Sequence, residues 1–247
     1  MILFFIVVVI FTSASNAQKT DAVNILKIAE ERVSALDSMS EKLNGEFSRE
    51  VKFKSSTIGG PGEGNLTYLI KVKKGRQQSY RKISVNGVSD SSIIAIMDKA
   101  FGQRNGKPVL EVYNTAFPWA KYLRGGESGD VLSSQILSNN TDYFGEKCYL
   151  IKFNIDVKND SLNVSGSGKI WIAEVSYLPV RLESDMNFDY KRGRGRTKTF
   201  VDFTLLQDRI LVVTRSEFQT FPKFLFVPMG SFKIVIEQKD FNLEYEK

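Results

Sequence analysis

The sequence predicts an α+β fold, mainly antiparallel β-sheet preceded by one helix, and three observations carry that prediction. First, two segments alternate apolar and polar residues with the period of a half-buried strand. In Lys147 to Val157 the apolar set is Tyr149, Ile151, Phe153, Ile155 and Val157; in Val180 to Tyr190 it is Val180, Leu182, Met186, Phe188 and Tyr190, set against Arg181, Glu183, Asp185, Asn187 and Asp189. Second, Asp21 to Met39 spaces Val23, Leu26, Ile28, Val33, Leu36 and Met39 among Lys27, Glu30, Glu31 and Arg32, as an amphipathic helix does. Third, short polar or glycine-bearing breaks separate the strand-like runs, the mark of an antiparallel meander.

In chain order, Met1 to Ala17 comes first. Its ten apolar residues, Ile2 to Phe11, run into Ser15-Asn16-Ala17, a short apolar core with a small-x-small cleavage site. Ten is about half of the roughly 20 residues a spanning helix needs, so the segment reads as a cleaved export signal. Residues 18–247 then form one domain, a length common for β-rich units. After the helix, strands are expected at Gly45 to Phe53, Thr67 to Lys73 (with Leu66, Tyr68, Ile70 and Val72 on one side) and Gln77 to Val85. Others are expected at Val109 to Asn114, Leu162 to Ala173, Thr197 to Leu206, Arg209 to Phe218 and Ser231 to Tyr245. Gly59-Gly60-Pro61-Gly62 reads as a flexible loop. Two stretches do not alternate and read as short helices: Asp90 to Phe101, with Ile93, Ile94, Ile96 and Met97 behind an N-cap at Ser89 or Asp90, and Glu127 to Leu137, with Val131, Leu132, Ile136 and Leu137.

Composition limits the chemistry. Hydrophobic residues make up 42% of the 247, enough for a core, and the lone Cys148, expected in a buried strand, excludes an intramolecular disulfide. There is no histidine, which removes the commonest general base, Ser-His-Asp and Cys-His nucleophiles, and most zinc sites. The glycines at 59 to 64 precede a strand, whereas a phosphate loop precedes a helix. Asp156 with Asp160 and Asp185 with Asp189 could in principle serve as acid pairs, but the latter two lie on the polar side of an alternating strand and read as solvated. A non-enzymatic protein without cofactor or metal is expected. The net charge of +6 favours anionic surfaces, and export makes membrane headgroups, not nucleic acid, the expected ones.

Two features remain. Lys191-Arg192-Gly193-Arg194-Gly195-Arg196-Thr197-Lys198 holds five basic residues in eight between two strands and reads as a basic hairpin tip; Lys71, Lys73, Lys74, Arg76, Arg81 and Lys82 flank an earlier turn. Phe117, Trp119 and Tyr122 precede the second short helix, while Phe218, Phe221, Phe224 and Phe226 crowd a proline-bearing loop with Pro222 and Pro228. Large apolar groups in a loop point to a covered cavity or to a protein partner bound through 218–228.

Leu43-Asn44-Gly45-Glu46-Phe47 after the helix, Tyr143-Phe144-Gly145-Glu146-Lys147-Cys148-Tyr149, and Ile170-Trp171-Ile172 followed by Leu178-Pro179-Val180-Arg181-Leu182 together resemble the LolA/LolB-like proteins, periplasmic carriers and receptors of outer-membrane lipoproteins. The resemblance covers most of residues 18–247 in element order. It implies an incomplete, unclosed antiparallel β-barrel with the helices as a lid over an apolar cavity that takes up lipid or lipoprotein acyl chains. On that reading Tyr68, Ile70, Tyr149, Ile151, Phe153, Leu182, Met186 and Phe188 line the cavity, and Ile94, Met97, Trp119, Phe221 and Phe224 belong to the lid or its loops. Arg192 and Arg194 form a basic rim. A basic residue after an early strand holds the lid in the carrier branch; Val72-Lys73-Lys74-Gly75-Arg76 offers Lys74 or Arg76, without the expected proline. No cysteine lies at the cleavage point, or after it until Cys148, to be acylated at a new N-terminus, so a soluble monomeric carrier, periplasmic or else secreted, is implied, loaded by an inner-membrane releasing complex and emptied by an outer-membrane acceptor.

Overall fold

A computed structural model describes residues 22–57, 60–88, 91–119, 131–158, 162–190, 193–224 and 227–246. The expected export signal lies outside them. Helix α1 spans 22–40 and turns Ala22, Ile25, Leu26, Ala29 and Val33 into the core, the i, i+3, i+4 spacing of a one-sided helix. Val23, Ile28 and Met39 are off this stripe and exposed; the alanines replace them, and their small size lets the helix approach closely what it packs on.

The strands are β1 (Leu43–Thr57), β2 (Gly60–Lys73), β3 (Arg76–Asn86), β4 (Val131–Tyr143), β5 (Glu146–Lys158), β6 (Leu162–Ala173), β7 (Pro179–Tyr190), β8 (Gly193–Leu206), β9 (Ile210–Phe224), β10 (Val227–Pro228) and β11 (Gly230–Tyr245). They form one antiparallel sheet in the order β3-β2-β1-β11-β9-β8-β7-β6-β5-β4, with β10 attached to β9. β3 and β4 are its free edges, so the sheet is unclosed. From β4 to β9 it is a meander; β11 then returns to lie between β9 and β1, pairing with β1 from Leu43↔Tyr245 to Thr57↔Gly230. Between β3 and β4 come α2 (Ser91–Met97), a π-helical turn (Asp98–Gly102) and α3 (Val112–Ala116). Among the described residues no helix is long and apolar enough to cross a membrane.

Several expected elements differ. Residues 131–137 are strand, not helix: the pairing with β5 is regular from Val131 to Ile136, but the inner position 134 holds a buried serine, so the apolar residues fall at 131, 132, 136 and 137 and do not alternate; register shifts follow between Ile136 and Ser138 and between Ser138 and Thr141. Val109 to Asn114 is not a strand; Val112–Ala116 is helical, with Val112, Ala116 and Phe117 buried. Gly60 to Gly64 belongs to β2. Residues 218–224 are not a loop, because β9 continues to Phe224, and Val227–Pro228 form β10; Phe226 lies outside the described residues.

Residues opposite one another on paired strands share a face. One inner row therefore crosses the sheet as Leu66, Val51, Ile236, Ser216, Val201, Leu182, Ile170, Ile151 and Ile136. This face carries the core, with α1, Met97, Phe117 and Trp119 packed on it. The outer face is polar, and cross-strand ion pairs lace it: Arg196 with Asp185, Arg194 with Asp189, Arg181 with Asp202, Lys233 with Glu217 and Lys52 with Glu237. Asp185 and Asp189 are thus arginine-paired surface carboxylates, and the Arg196 hydrogen bonds hold the Asp185 carboxyl below its usual range.

The next inner row sets Phe153 opposite Gly168, whose missing side chain leaves room for the ring. A Cβ on Gly168 would collide with that ring and with the Glu183 carbonyl oxygen. Gly168→Val is expected to lower stability by about 1–3 kcal/mol through overpacking, measured as a reduced urea midpoint with an unchanged slope.

Candidate functional site

The strands outrun their cover. Over the half of the sheet near the 43/245 end, the inner face is packed solid: Phe47, Val51, Leu66, Tyr68, Ile70, Ile151, Phe153, Ile170 and Leu182 are fully buried or nearly so. Towards the other end, where Thr57 meets Gly230, the inner-facing residues of the long strands β9 and β11 stay half-buried: Ile236, Ile234 and Phe232 on β11, and Phe218 on β9. Phe188 on β7 is half-buried in the same part of the sheet. Between these apolar groups stand the small Thr197, Thr199 and Ser184. Among the described residues this leaves a half-buried apolar strip, a shallow trough in which Phe188, Phe232, Ile234 and Ile236 pack against the core.

Trp119 closes the covered half. Its indole N–H donates to the Glu30 carboxylate of α1 at 2.9 Å, and its ring packs on Phe153 with centroids 4.6 Å apart and on Phe117 at 5.6 Å. It is a wedge between helix and sheet.

The segment α2 with its π-helical turn lies over β1 to β3. Ile93 is in contact range of Gly62, while Val88 over Gly64 and the Tyr80 ring against Gly102 come closer than a side chain there would allow, so Gly64 and Gly102 serve close approach. Four side chains grip the turn. The Arg49 guanidinium donates to the Phe101 carbonyl oxygen at 2.8 Å, and the Gln77 amide donates to that of Gly102. The Tyr68 hydroxyl donates to Asp98 Oδ1 at 2.9 Å, and the Lys82 ammonium pairs with Oδ2 at 2.7 Å. Burial and the Asp98 carboxylate push the Tyr68 hydroxyl well above its usual pKa.

Arg49 is the unusual member. It shares the inward parity of Phe47, Val51 and Phe53, is 5% exposed, lies 5.5 Å from the Phe47 ring centroid, and has no carboxylate partner among the described residues. Burial, then the nearby Arg104 cation, lower its pKa to about 10, so it is charged at neutral pH. A buried cation tied to a carbonyl of the covering segment holds that segment by a charge-assisted bond.

The residues expected from sequence fall into groups. Tyr68, Ile70, Ile151, Phe153, Leu182 and Met186 are buried on the inner face, with Met186 against Gly166; Tyr149 and Phe188 are half-buried there. Met97 is buried on α2 and Ile94 is half-buried. Phe221 pairs with Arg196 on the outer face, away from the trough, because alternation puts it opposite in sense to Phe218; Phe224 ends β9, and nothing is described of its side chain. Arg194 is an ion-paired strand residue, and Arg192 lies outside the described residues. Lys74 and Arg76 are at the far end of the β2–β3 hairpin and do not reach α2: Lys74 is exposed, and Arg76 donates to the Gly106 carbonyl at 2.8 Å. The contacts to the covering turn belong to Arg49, Gln77, Tyr68 and Lys82 instead.

The chain matches no protein-family model and no curated protein. Among solved structures it is similar to a domain described as an outer membrane lipoprotein-sorting protein from Vibrio parahaemolyticus, at 8% identity and TM-score 0.35, over 93% of this chain and 94% of that one. The chain is also similar to a DUF1329 family protein from Desulfovibrio piger (14% identity, TM-score 0.32, 89% and 92% covered) and to MucB in complex with MucA(peri) (6% identity, TM-score 0.20, 89% and 99% covered).

Removing the buried cation tests the grip on the turn. Arg49→Met is expected to speed amide hydrogen exchange across 98–102 about tenfold or more, the scale of a lost bond to a charged group of roughly 1.5–3 kcal/mol, while amides of β5 to β7 exchange as before.

Proposed function

We propose that this protein is an exported, non-enzymatic carrier that takes acyl chains of lipids or lipoproteins onto the inner face of its sheet and passes them on within the cell envelope. The observation that carries this reading is the half-buried apolar run Phe218, Phe232, Ile234 and Ile236 at the open end of the sheet, the last three of which pack against the core. Apolar surface left beside a core by strands longer than their cover suits a long, thin, apolar guest. Each methylene moved from water into such a site contributes about 0.8 kcal/mol, so a partly inserted chain binds without any polar contact. The likeness in sequence to the LolA/LolB-like carriers supports the same guest and a periplasmic location.

The covering segment then acts as a lid. Four polar contacts tie it to β1 to β3, and the buried Met97 with the half-buried Ile93, Ile94 and Phe101 adds apolar packing that opening must also give up. The chain's net charge of +6 favours approach to anionic headgroups.

Protein purified without detergent and extracted for mass spectrometry is expected to carry lipid, and delipidated protein to bind a fluorescent fatty acid saturably. Ile234→Asp is expected to weaken that binding at least tenfold, whereas the outer-face change Val235→Asp leaves it within about twofold. Lipid-free protein with no fatty-acid uptake, or equal binding by both variants, would refute the carrier reading.

A further inference from the structure

At the opposite end of the sheet from the trough, a cleft of about 720 Å³ opens between the β4–β5, β6–β7 and β8–β9 turns. That volume falls within the roughly 300–1,000 Å³ of ligand pockets. Its apolar lining includes Leu178, Phe203, Leu205 and Leu211, and at its lips stand Phe144 and Val175. These two are 89% and 96% exposed, the most open of the large apolar residues among those described.

Phe144 is out of place by two independent criteria. It occupies the first central position of a two-residue hairpin turn with φ 51°, followed by Gly145 at φ 84°, a left-handed pair in which Asn or Gly is preferred and a bulky side chain is strained. Its ring also faces water, with only the edge contact to Tyr143 at 4.7 Å. Tyr177, another aromatic with positive φ, is half-buried beside Tyr149, so there the strain accompanies packing; at Phe144 most of the ring makes no packing contact within the fold. A strained, exposed aromatic at the lip of an apolar cleft is better explained by something that binds there.

The charges decide what. In a chain of net charge +6, the cleft lining holds Glu146, Glu174 and Asp208 against the single cation Lys147. The same local field is felt by the neighbouring Cys148 thiol, which burial first, and then Glu146, Glu174 and Asp142, push up to about 11. Anionic headgroups are repelled by such a rim, which disfavours a membrane. We infer that the cleft between Phe144 and Val175 is a docking site for a cationic amphipathic segment of a partner protein, its apolar side chains on the Leu211 floor and its basic ones on the carboxylate rim.

The probe is a fluorescein-labelled peptide alternating Leu and Lys, with its Leu and Glu counterpart as control, titrated against the full chain by fluorescence anisotropy. Saturable binding of the Lys peptide at one per chain is expected, at least tenfold tighter than the Glu peptide and undiminished by saturating dodecanoate, which separates this cleft from the acyl trough. Phe144→Asn suits the turn, so its Tm is expected to equal or exceed that of the unaltered chain while binding falls tenfold or more; Glu146→Lys with Asp208→Lys is expected to do the same to binding. The inference is overturned if Phe144→Asn binds as tightly as the unaltered chain, if the Glu peptide binds equally, or if no peptide binds. It is likewise overturned if the Phe144-dependent event proves to be adsorption to phosphatidylcholine/phosphatidylglycerol vesicles, or dimerisation seen by sedimentation.

Discussion

The pairing of β11 with β1 is the constraint on which the remaining structure depends. It joins the last strand of the chain to the first, so the β1–β3 hairpins and the β4–β9 meander become one sheet instead of two small ones. It also sets the length of the trough. β11 follows β1 from Leu43 to Thr57 and β9 only from Glu237 to Phe232, so these central strands extend together past the region that α1 reaches. Without β11, Val51 and Phe53 would stand at a sheet edge and the covering segment, which is anchored on β1 to β3, would have no fixed relation to β5 to β8. The cost is kinetic, since a strand pair that closes nearly the whole chain must wait for both halves.

The covering turn shows how a polar grip can sit inside an apolar face. A π-helical turn leaves carbonyls without helical partners, and here Arg49 and Gln77 supply donors from inward-facing positions. Burying Arg49 without a carboxylate is expensive, and leucine at that position would suit the core better. Its retention makes sense as a tie that is strong when made and localised to one contact, unlike hydrophobic packing, which is spread over many. The Tyr68 and Lys82 contacts to Asp98 hold the start of the same turn, so its two ends are fixed by different strands.

Alternation made β5 and β7 legible in the sequence down to which residues face inward, because β5 and the part of β7 from Arg181 onward carry no extra residue; only Val180, at the register shift between Pro179 and Arg181, falls outside the pattern. The sequence reading failed where a second physical effect masks the pattern. In β4 a buried serine, Ser134, takes the inner position between residues 132 and 136, and the register shifts just past Ile136, so the apolar spacing imitates a helix. Pro222 suggested a loop, yet it lies beyond the last β9–β11 pair, Phe232↔Thr220, where β9 no longer has β11 beside it and a missing N–H costs little. The glycines at 60 to 64 suggested flexibility, whereas Gly62 and Gly64 are where Ile93 and Val88 come down on the sheet. The grip on the turn was missed although one signal was present: Arg49 falls on the same parity as Phe47, Val51 and Phe53, and a charge on the apolar side of a strand calls for a partner. Which carbonyl would answer it, 52 residues away, was not readable from one strand.

An acyl guest would meet two regions in order, and their energetics differ. The outer trough is half-buried as it stands, so the first methylenes gain nearly their full transfer free energy without displacing anything. The inner rows are filled: Phe153 lies on Gly168, Met186 on Gly166, and Leu182, Ile170 and Ile151 are closed over by the core. Over β1 to β3 the guest would in addition have to release the turn. Four polar contacts, three of them to or from charged groups, amount to about 4–7 kcal/mol on ordinary net values, and the packing of the buried Met97 adds to that. At about 0.8 kcal/mol per methylene, some five to nine carbons offset the polar part alone. A carrier built this way would hold short chains in the trough with the lid shut and open only for long ones, so chain length itself, sensed through the Arg49 tie, would set whether cargo is loaded.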